Sequence, residues 1–391
     1  MKKRSSKLSS LLLITTALMF SISASAEIKI GFIGPMTGTQ AVQGLGNLDG
    51  FRLGLDMRGG KLGGQEVKLI TGDDQLKPEV AVQVVRQFIG RDNVDAIIGL
   101  GFSNILMSTL PRLKESEKVS IALIAGPSPM AGASCAPNVF SAAHQNDGYG
   151  ESIGKMMQNR GYKNVYLMAP NYQAGKDMLE GFKRFYKGNI VGEVYTQLSQ
   201  TDYSAEITQL QAENPDALFM FYSGGMGVNF TKQLSQAGIT KKLPVYSVFT
   251  VDGSNLPALQ DTALGIVSGN IYSPTLDNPA NKKFVAEFQK KYDELPDSYS
   301  AVGYDAASIL DIAIASLDGD VSDQKAFAKA VHDAGAKFES VRGPFRFNNN
   351  NMPIQNYYAF QIVKEDGELK SKLIDTPLPE HQDSYHQLCP L

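Results

Sequence analysis

Residues 121–147 read IALIAGPSPMAGASCAPNVFSAAHQND. The apolar run Ser120–Ile124 is a short buried strand, broken by the Gly126-Pro127-Ser128-Pro129 loop. The segment then carries Cys135, one of two cysteines, and ends in polar residues where a second strand–helix series begins. This arrangement makes it half of a candidate binding site and the first strap between two lobes.

On the N-terminal side, strands are expected at Ile28–Ile33, Val67–Thr71 and Ala96–Leu100. Helices follow them over 47–58, from Pro78 (an apt first helical residue) through about Ile89, and over 105–117. The same grammar restarts after Asp147, with strands at Val165–Met168, Ile190–Tyr195, Ala217–Tyr222 and Val245–Val248. Strands alternating with helices call for parallel sheets covered on both faces. The fold class is therefore α/β, with two doubly wound Rossmann-like lobes. Helices over 280–292, 300–317 and 324–334 precede a hairpin of Gly343–Phe347 with Tyr357–Val363, and these return to complete the lobes. The last fifteen residues, with Pro377, Pro379 and Pro390, read as an irregular tail.

Residues 1–26 read as a cleaved signal peptide. Lys2, Lys3, Arg4 and Lys7 form a basic start, Leu11–Ile22 a short apolar run, and Ala24-Ser25-Ala26 a small-residue cleavage site. Removing it leaves 33 basic against 40 acidic residues, a net charge of about −7. An acidic chain without a basic cluster is a poor binder of nucleic acid, and no later stretch is apolar enough for membrane insertion. In an exported chain Cys135 and Cys389 are expected to pair and pin the tail, with two free thiols as the alternative.

Ligands in open α/β sheets sit beyond the carboxyl ends of the strands, where helix N-termini point unpaired N–H groups. The candidates on that rule are Phe102, Ser103, Asn104, Gly126 and Ser128 in the first lobe. In the second they are Tyr172, Gln173, Tyr222, Gly224, Gly225, Phe249 and Thr250. Ser103 and Ser128 suit a carboxylate, with simple helix capping as the alternative for Ser103. Tyr172, Tyr222 and Phe249 suit an apolar or aromatic body, with ordinary packing between lobes as theirs. Catalytic signatures are weak. Gly44-Leu45-Gly46 with Gly50 has the wrong spacing for a dinucleotide fingerprint and lies ten positions past its strand. The four histidines are dispersed, Asp73-Asp74 reads as a local cap, and no nucleophile has a visible base. Neither a cofactor nor a metal is expected, and the chain is read as a non-enzyme.

The runs IKIGFIGPMTG (28–38), GGKLGGQEVKLITGDDQLKPEVAVQVVRQFI (59–89) and AIIGLGFSN (96–104) resemble the type I periplasmic solute-binding proteins of ABC importers, in the leucine/isoleucine/valine-binding branch. Residues 169–182 and GGMGVNF (224–230) resemble the sub-branch associated with aromatic acids such as nitrobenzoate. The resemblance implies a carboxylate held at Ser103 and at Gly126 with Ser128. It also places at Phe249 the position of an acidic residue that holds an amino-acid ammonium, which favours a carboxylate on an apolar or aromatic body. A three-strap hinge falls at His144–Asn146, Tyr272–Pro274 and Gly343–Arg346. The lobes comprise 27–144 with 274–343 and 145–273 with 346–376, followed by the tail 377–391. The implied protein is a periplasmic monomer that presents its ligand to a membrane permease. A soluble amino-acid or amide sensor of the same fold, or an exported α/β enzyme, is the alternative.

Overall fold

The computed structural model describes residues 27–198 and 200–391; residues 1–26, read above as a signal peptide, lie outside the described residues. In chain order the first series is β1 (Ile28–Gly34), α1 (Ala41–Asp56), β2 (Lys61–Leu62), β3 (Gln65–Asp73), α2 (Pro78–Gly90), β4 (Ala96–Gly99), α3 (Ser103–Ser116), β5 (Val119–Ala122), α4 (Ser128–Ala131) and β6 (Val139–Ser141). These strands form one sheet in the order β2-β3-β1-β4-β5-β6, parallel from β3 to β6. The second series is α5 (Asp147–Asn159), β7 (Asn164–Pro170), α6 (Gln173–Phe185), β8 (Asn189–Thr196), α7 (Ser204–Glu213), β9 (Ala217–Phe221), α8 (Gly224–Gln236), β10 (Val245–Val248), α9 (Leu256–Leu259) and β11 (Val267–Asn270). Helices α10 (Pro279–Tyr292), α11 (Ser298–Ala315) and α12 (Gln324–Ala334) come next, then strands β12 (Phe345–Phe347), β13 (Pro353–Glu365) and β14 (Glu368–His381). The second sheet runs β12-β13-β11-β10-β9-β7-β8, with β14 on β13. Its β7–β11 are parallel, and β13 joins them antiparallel.

Strands β4, β5, β6 and β9 are buried along their length, as continuous apolar runs in a covered parallel sheet require. Helix α1 lies against α11 at close range. A Cβ on Gly50 would stand 1.9 Å from the Ser300 carbonyl oxygen, and one on Gly303 would stand 2.0 Å from that of Asn47. The glycines that partly matched a dinucleotide fingerprint therefore serve helix packing, at least at Gly50.

Four strands escaped the sequence reading: the two-residue β2, β6 and β11, each of three or four residues, and β14. The irregular tail is corrected accordingly, because Pro377 and Pro379 lie inside β14. Among the described residues that strand pairs only with β13, and an edge strand tolerates residues without an N–H. The tail is bound in two further ways. Cys135 and Cys389 form a disulfide with Cα atoms 5.7 Å apart. Ser384 and His381 bond Glu151, and Tyr385 donates to Asp147 at 2.8 Å. Arg184 joins both carboxylates from α6. Burial and the nearby Asp177 push Asp147 up to about 7.

The chain passes between the sheets at 142–146, 271–278 and 335–344. Arg342, 2% exposed, joins two of these passages. Its guanidinium pairs with Asp305 of α11 at 2.8 Å, donates to the carbonyls of Ala142 and Ala143, and reaches Gln355 of β13. Asn278 donates to the Val341 carbonyl at 3.2 Å and so ties in the remaining passage.

Arg342→Ala leaves Asp305 buried without its counter-charge, and the expected loss is about 3–5 kcal/mol, read from denaturant melts; a loss within ordinary surface-mutant scatter would contradict the role given to the pair. Cys389→Ser should cost about 2–5 kcal/mol, and an unchanged melting midpoint under oxidising conditions would show that the side-chain contacts alone hold the tail.

Candidate functional site

Both sheets reverse strand order, at β1 in the first and β7 in the second. The loops beyond these strands face each other, and between them lies a cavity of about 20 Å³. That is room for about one water, so a ring-sized ligand enters only when the lobes move apart. From the first sheet it receives Phe102 and Ser103 at the start of α3, and Ile124 and Ala125 beyond β5. From the second it receives Tyr172 and Ala174 at the start of α6, Phe221 and Ser223 beyond β9, and Phe249 beyond β10. His144 and Asn146, from the first passage, complete the wall together with Gln43 and Met178.

The polar groups are few and placed. Ser103 Oγ accepts from Asn146 Nδ2 at 3.0 Å, which leaves its own O–H to donate. The first intrahelical bond of α3 in this region is Leu106 N–H to Phe102, so the N–H groups of residues 103–105 precede the ladder. Ser223 Oγ and His144 Nδ1 are buried without a partner. Burial, reinforced by the Arg342 charge, pushes His144 down to about 3, so the ring is neutral near pH 7. No Asp, Glu, Lys or Arg lines the cavity.

Aromatic rings supply the rest. Tyr172 stacks on Phe221 with centroids 6.1 Å apart. Phe249 packs on Tyr149 at 4.5 Å, His144 at 5.3 Å and Phe221 at 5.8 Å. It holds φ +59, the left-handed region that a bulky side chain rarely adopts. Such backbone persists where its surroundings over-determine it, and here four rings do so.

Beside the cavity the two lobes clasp through Asp177 of α6. Its carboxylate accepts from Ser128 N at 3.1 Å, Ser128 Oγ at 2.7 Å, Asn146 Nδ2 at 2.8 Å and Gln173 Nε2 at 2.7 Å. Burial raises its pKa despite these donors.

A family model described as periplasmic binding protein matches residues 27–368. The chain belongs to that family. Leu/Ile/Val-binding protein homolog 6 of Brucella melitensis biotype 1 is 27% identical over 385 residues, covering 93% of this chain and 96% of that one. An ABC-transporter solute-binding protein of R. palustris, solved with benzoate, is 29% identical with a TM-score of 0.88, over 94% of this chain and 100% of that one. Another from Rhodopseudomonas palustris BisB5, solved with 3,4-dihydroxybenzoic acid, is 27% identical with a TM-score of 0.85, over 92% and 99%. The fold is thus that of type I periplasmic binding proteins.

In this periplasmic binding protein, four of the twelve sequence candidates line the cavity: Phe102, Ser103, Tyr172 and Phe249. The others lie nearby in different roles. Tyr222 points to the opposite face of the second sheet, where its hydroxyl meets Thr196 at 3.1 Å and its ring meets Tyr203 and Phe230. Its neighbour Phe221 faces the cavity, since successive strand side chains alternate. Thr250 accepts from the Tyr222 N–H. Ser128 and Gln173 turn to Asp177, and Gly126 donates to Asn146 Oδ1 at 3.0 Å. Asn104 lies second in α3, with Oδ1 buried and unpartnered. Gly224 and Gly225 admit the other lobe: a Cβ on Gly224 would stand 2.2 Å from Gln40 Oε1, whose amide reaches the Ser223 carbonyl. Asp177 went unnoticed because it is one turn inside a helix, away from the strand-end rule.

Asp177→Asn would set an amide N–H against donors from Ser128, Asn146 or both, and the lobes should separate more readily. Small-angle scattering of the variant is expected to show a larger radius than the parent under identical conditions. An identical scattering curve would mean that the clasp does not hold closure. The raised pKa gives the same sign with pH: as pH falls, protonation of Asp177 removes acceptor capacity sooner than for an ordinary carboxylate, and closure weakens.

Proposed function

We propose that this chain is the periplasmic substrate-binding component of an ABC importer and that it binds a small carboxylate with an aromatic body. The lobes that close on it are residues 27–144 with 274–343 and 145–273 with 346–376, and the closed form is what the membrane permease engages. The reading rests on one observation above all: the cavity wall combines four aromatic rings with the Ser103 hydroxyl and a helix start, and contains no acidic residue. A helix N-terminus and a hydroxyl favour an anion. An amino-acid ammonium in the same space would find no carboxylate, and a buried unpaired charge costs several kcal/mol. The benzoate and dihydroxybenzoate complexes of the two related solute-binding proteins support the aromatic acid, whereas the Leu/Ile/Val-binding relative represents the competing ligand class.

Ser103 holds the carboxylate with its O–H and the adjoining backbone N–H groups, while Asn146 fixes the hydroxyl rotor. Phe221 and Tyr172 cover one side of the ring and Phe249 limits its depth. Ser223 and neutral His144 meet a ring substituent. Binding and presentation complete the task, with no bond made or broken.

A thermal-shift series over benzoates, aliphatic acids and branched-chain amino acids tests this. A ligand at a hundred times its Kd adds about 2.7 kcal/mol of stability, so benzoates should raise the melting temperature clearly. Leucine or valine raising it while benzoates do not would overturn the reading. Ser103→Ala removes a hydrogen bond to a charged group, worth about 1.5–3 kcal/mol, and should weaken benzoate binding tenfold or more without lowering the melting temperature of the free protein.

A further inference from the structure

Behind the first cavity lies a second void of about 10 Å³, whose wall includes Leu123, Ala143, Tyr149, Ile271, Tyr299 and Val302. Three residues border both spaces: Ile124, His144 and Phe249. Phe249 has ring contacts on both sides. Its centroid lies 5.8 Å from that of Phe221, which lines the front cavity. It lies 4.5 Å from that of Tyr149 and 6.4 Å from that of Tyr299, which line the rear void. Tyr172 extends the row of rings forward from Phe221. A core side chain ordinarily closes the space around it. This one is 7% exposed, sits on the left-handed backbone of the first residue after β10, and still borders a void in front and another behind.

We propose that the Phe249 ring is the partition that restricts the site to single-ring acids, because it occupies the place that the second ring of a larger acid would take. The inference rests on the reading of the first cavity as an aromatic-carboxylate site and adds the size limit of its ligands. An acid held at Ser103 and covered by Tyr172 and Phe221 meets Phe249 next in the row. The voids on the two sides of that ring hold about one water each. With the ring in place a fused second ring has no room, and forcing it in would displace packed side chains. Without the ring the two voids join across the space it leaves. That space is one phenyl ring in size, and its edges are the aromatic faces Phe249 now meets: Phe221, Tyr149, His144 and Tyr299. A second ligand ring would find there the same neighbours as the protein's own ring. The backbone permits the exchange, since glycine adopts φ +59 without strain.

Calorimetric titration of the mature protein with benzoate and with 2-naphthoate tests this. The parent should bind benzoate at least tenfold more tightly than 2-naphthoate, in line with the discrimination an apolar pocket exerts by size. Phe249→Gly should bind 2-naphthoate at least tenfold more tightly than the parent does, while its affinity for benzoate falls, so that the preference inverts. Phe249→Leu fills the slot in part and is the second variant, for the case that the glycine variant does not fold; it should move the preference the same way by at least threefold. The ratio of the two affinities is the readout, because a general loosening of the fold would weaken both acids alike. Equal binding of the two acids by the parent, or a preference that neither substitution moves while benzoate still binds the parent, overturns this inference alone. Failure of benzoate to bind the parent overturns the aromatic-acid reading and this inference with it.

Discussion

One buried charge holds the passages between the lobes in register. Arg342 has almost no contact with water, so its guanidinium must be satisfied within the protein, and its partners come from several segments: Asp305 in α11, the Ala142 and Ala143 carbonyls, and Gln355 in β13. A planar fork of donors suits this better than a lysine would. Paired and fully bonded, such a charge specifies geometry more than it adds stability. Its position also reaches the cavity electrostatically, because the same charge helps keep His144 neutral.

From that fixed knot the two sheets present their switch points to each other, and the cavity follows. The lobes make contact through complementary details: a glycine where Gln40 approaches, and an internal carboxylate where Ser128 approaches. Asp177 carries the kind of charge that sequence reasoning had assigned to a ligand at Ser128. The clasp and the proposed ligand then use separate donors, with Asn146 bonded to both Ser103 and Asp177. Closure and occupancy are thereby linked through one amide.

The architecture was legible because continuous apolar strands and amphipathic helices alternate over more than two hundred residues. The short strands β6 and β11 were not, since three or four residues give too little periodicity to recognise. Strand β14 was hidden by its prolines, which an edge position permits. Of the residues the rule of strand ends gave, Phe102, Ser103, Tyr172 and Phe249 line the cavity, and the pleat turns Phe221 rather than Tyr222 towards it. Asp177 and Asn146 depend on contacts between segments 31 residues apart. No local pattern announces such a pair.

The disulfide has a consequence for the order in which the molecule is completed. Its two cysteines are 254 positions apart. No such bond can form until the chain has been made through residue 389 and both thiols meet an oxidant. A chain stopped before that residue keeps Cys135 as a lone thiol. The covalent loop therefore records that synthesis passed residue 389.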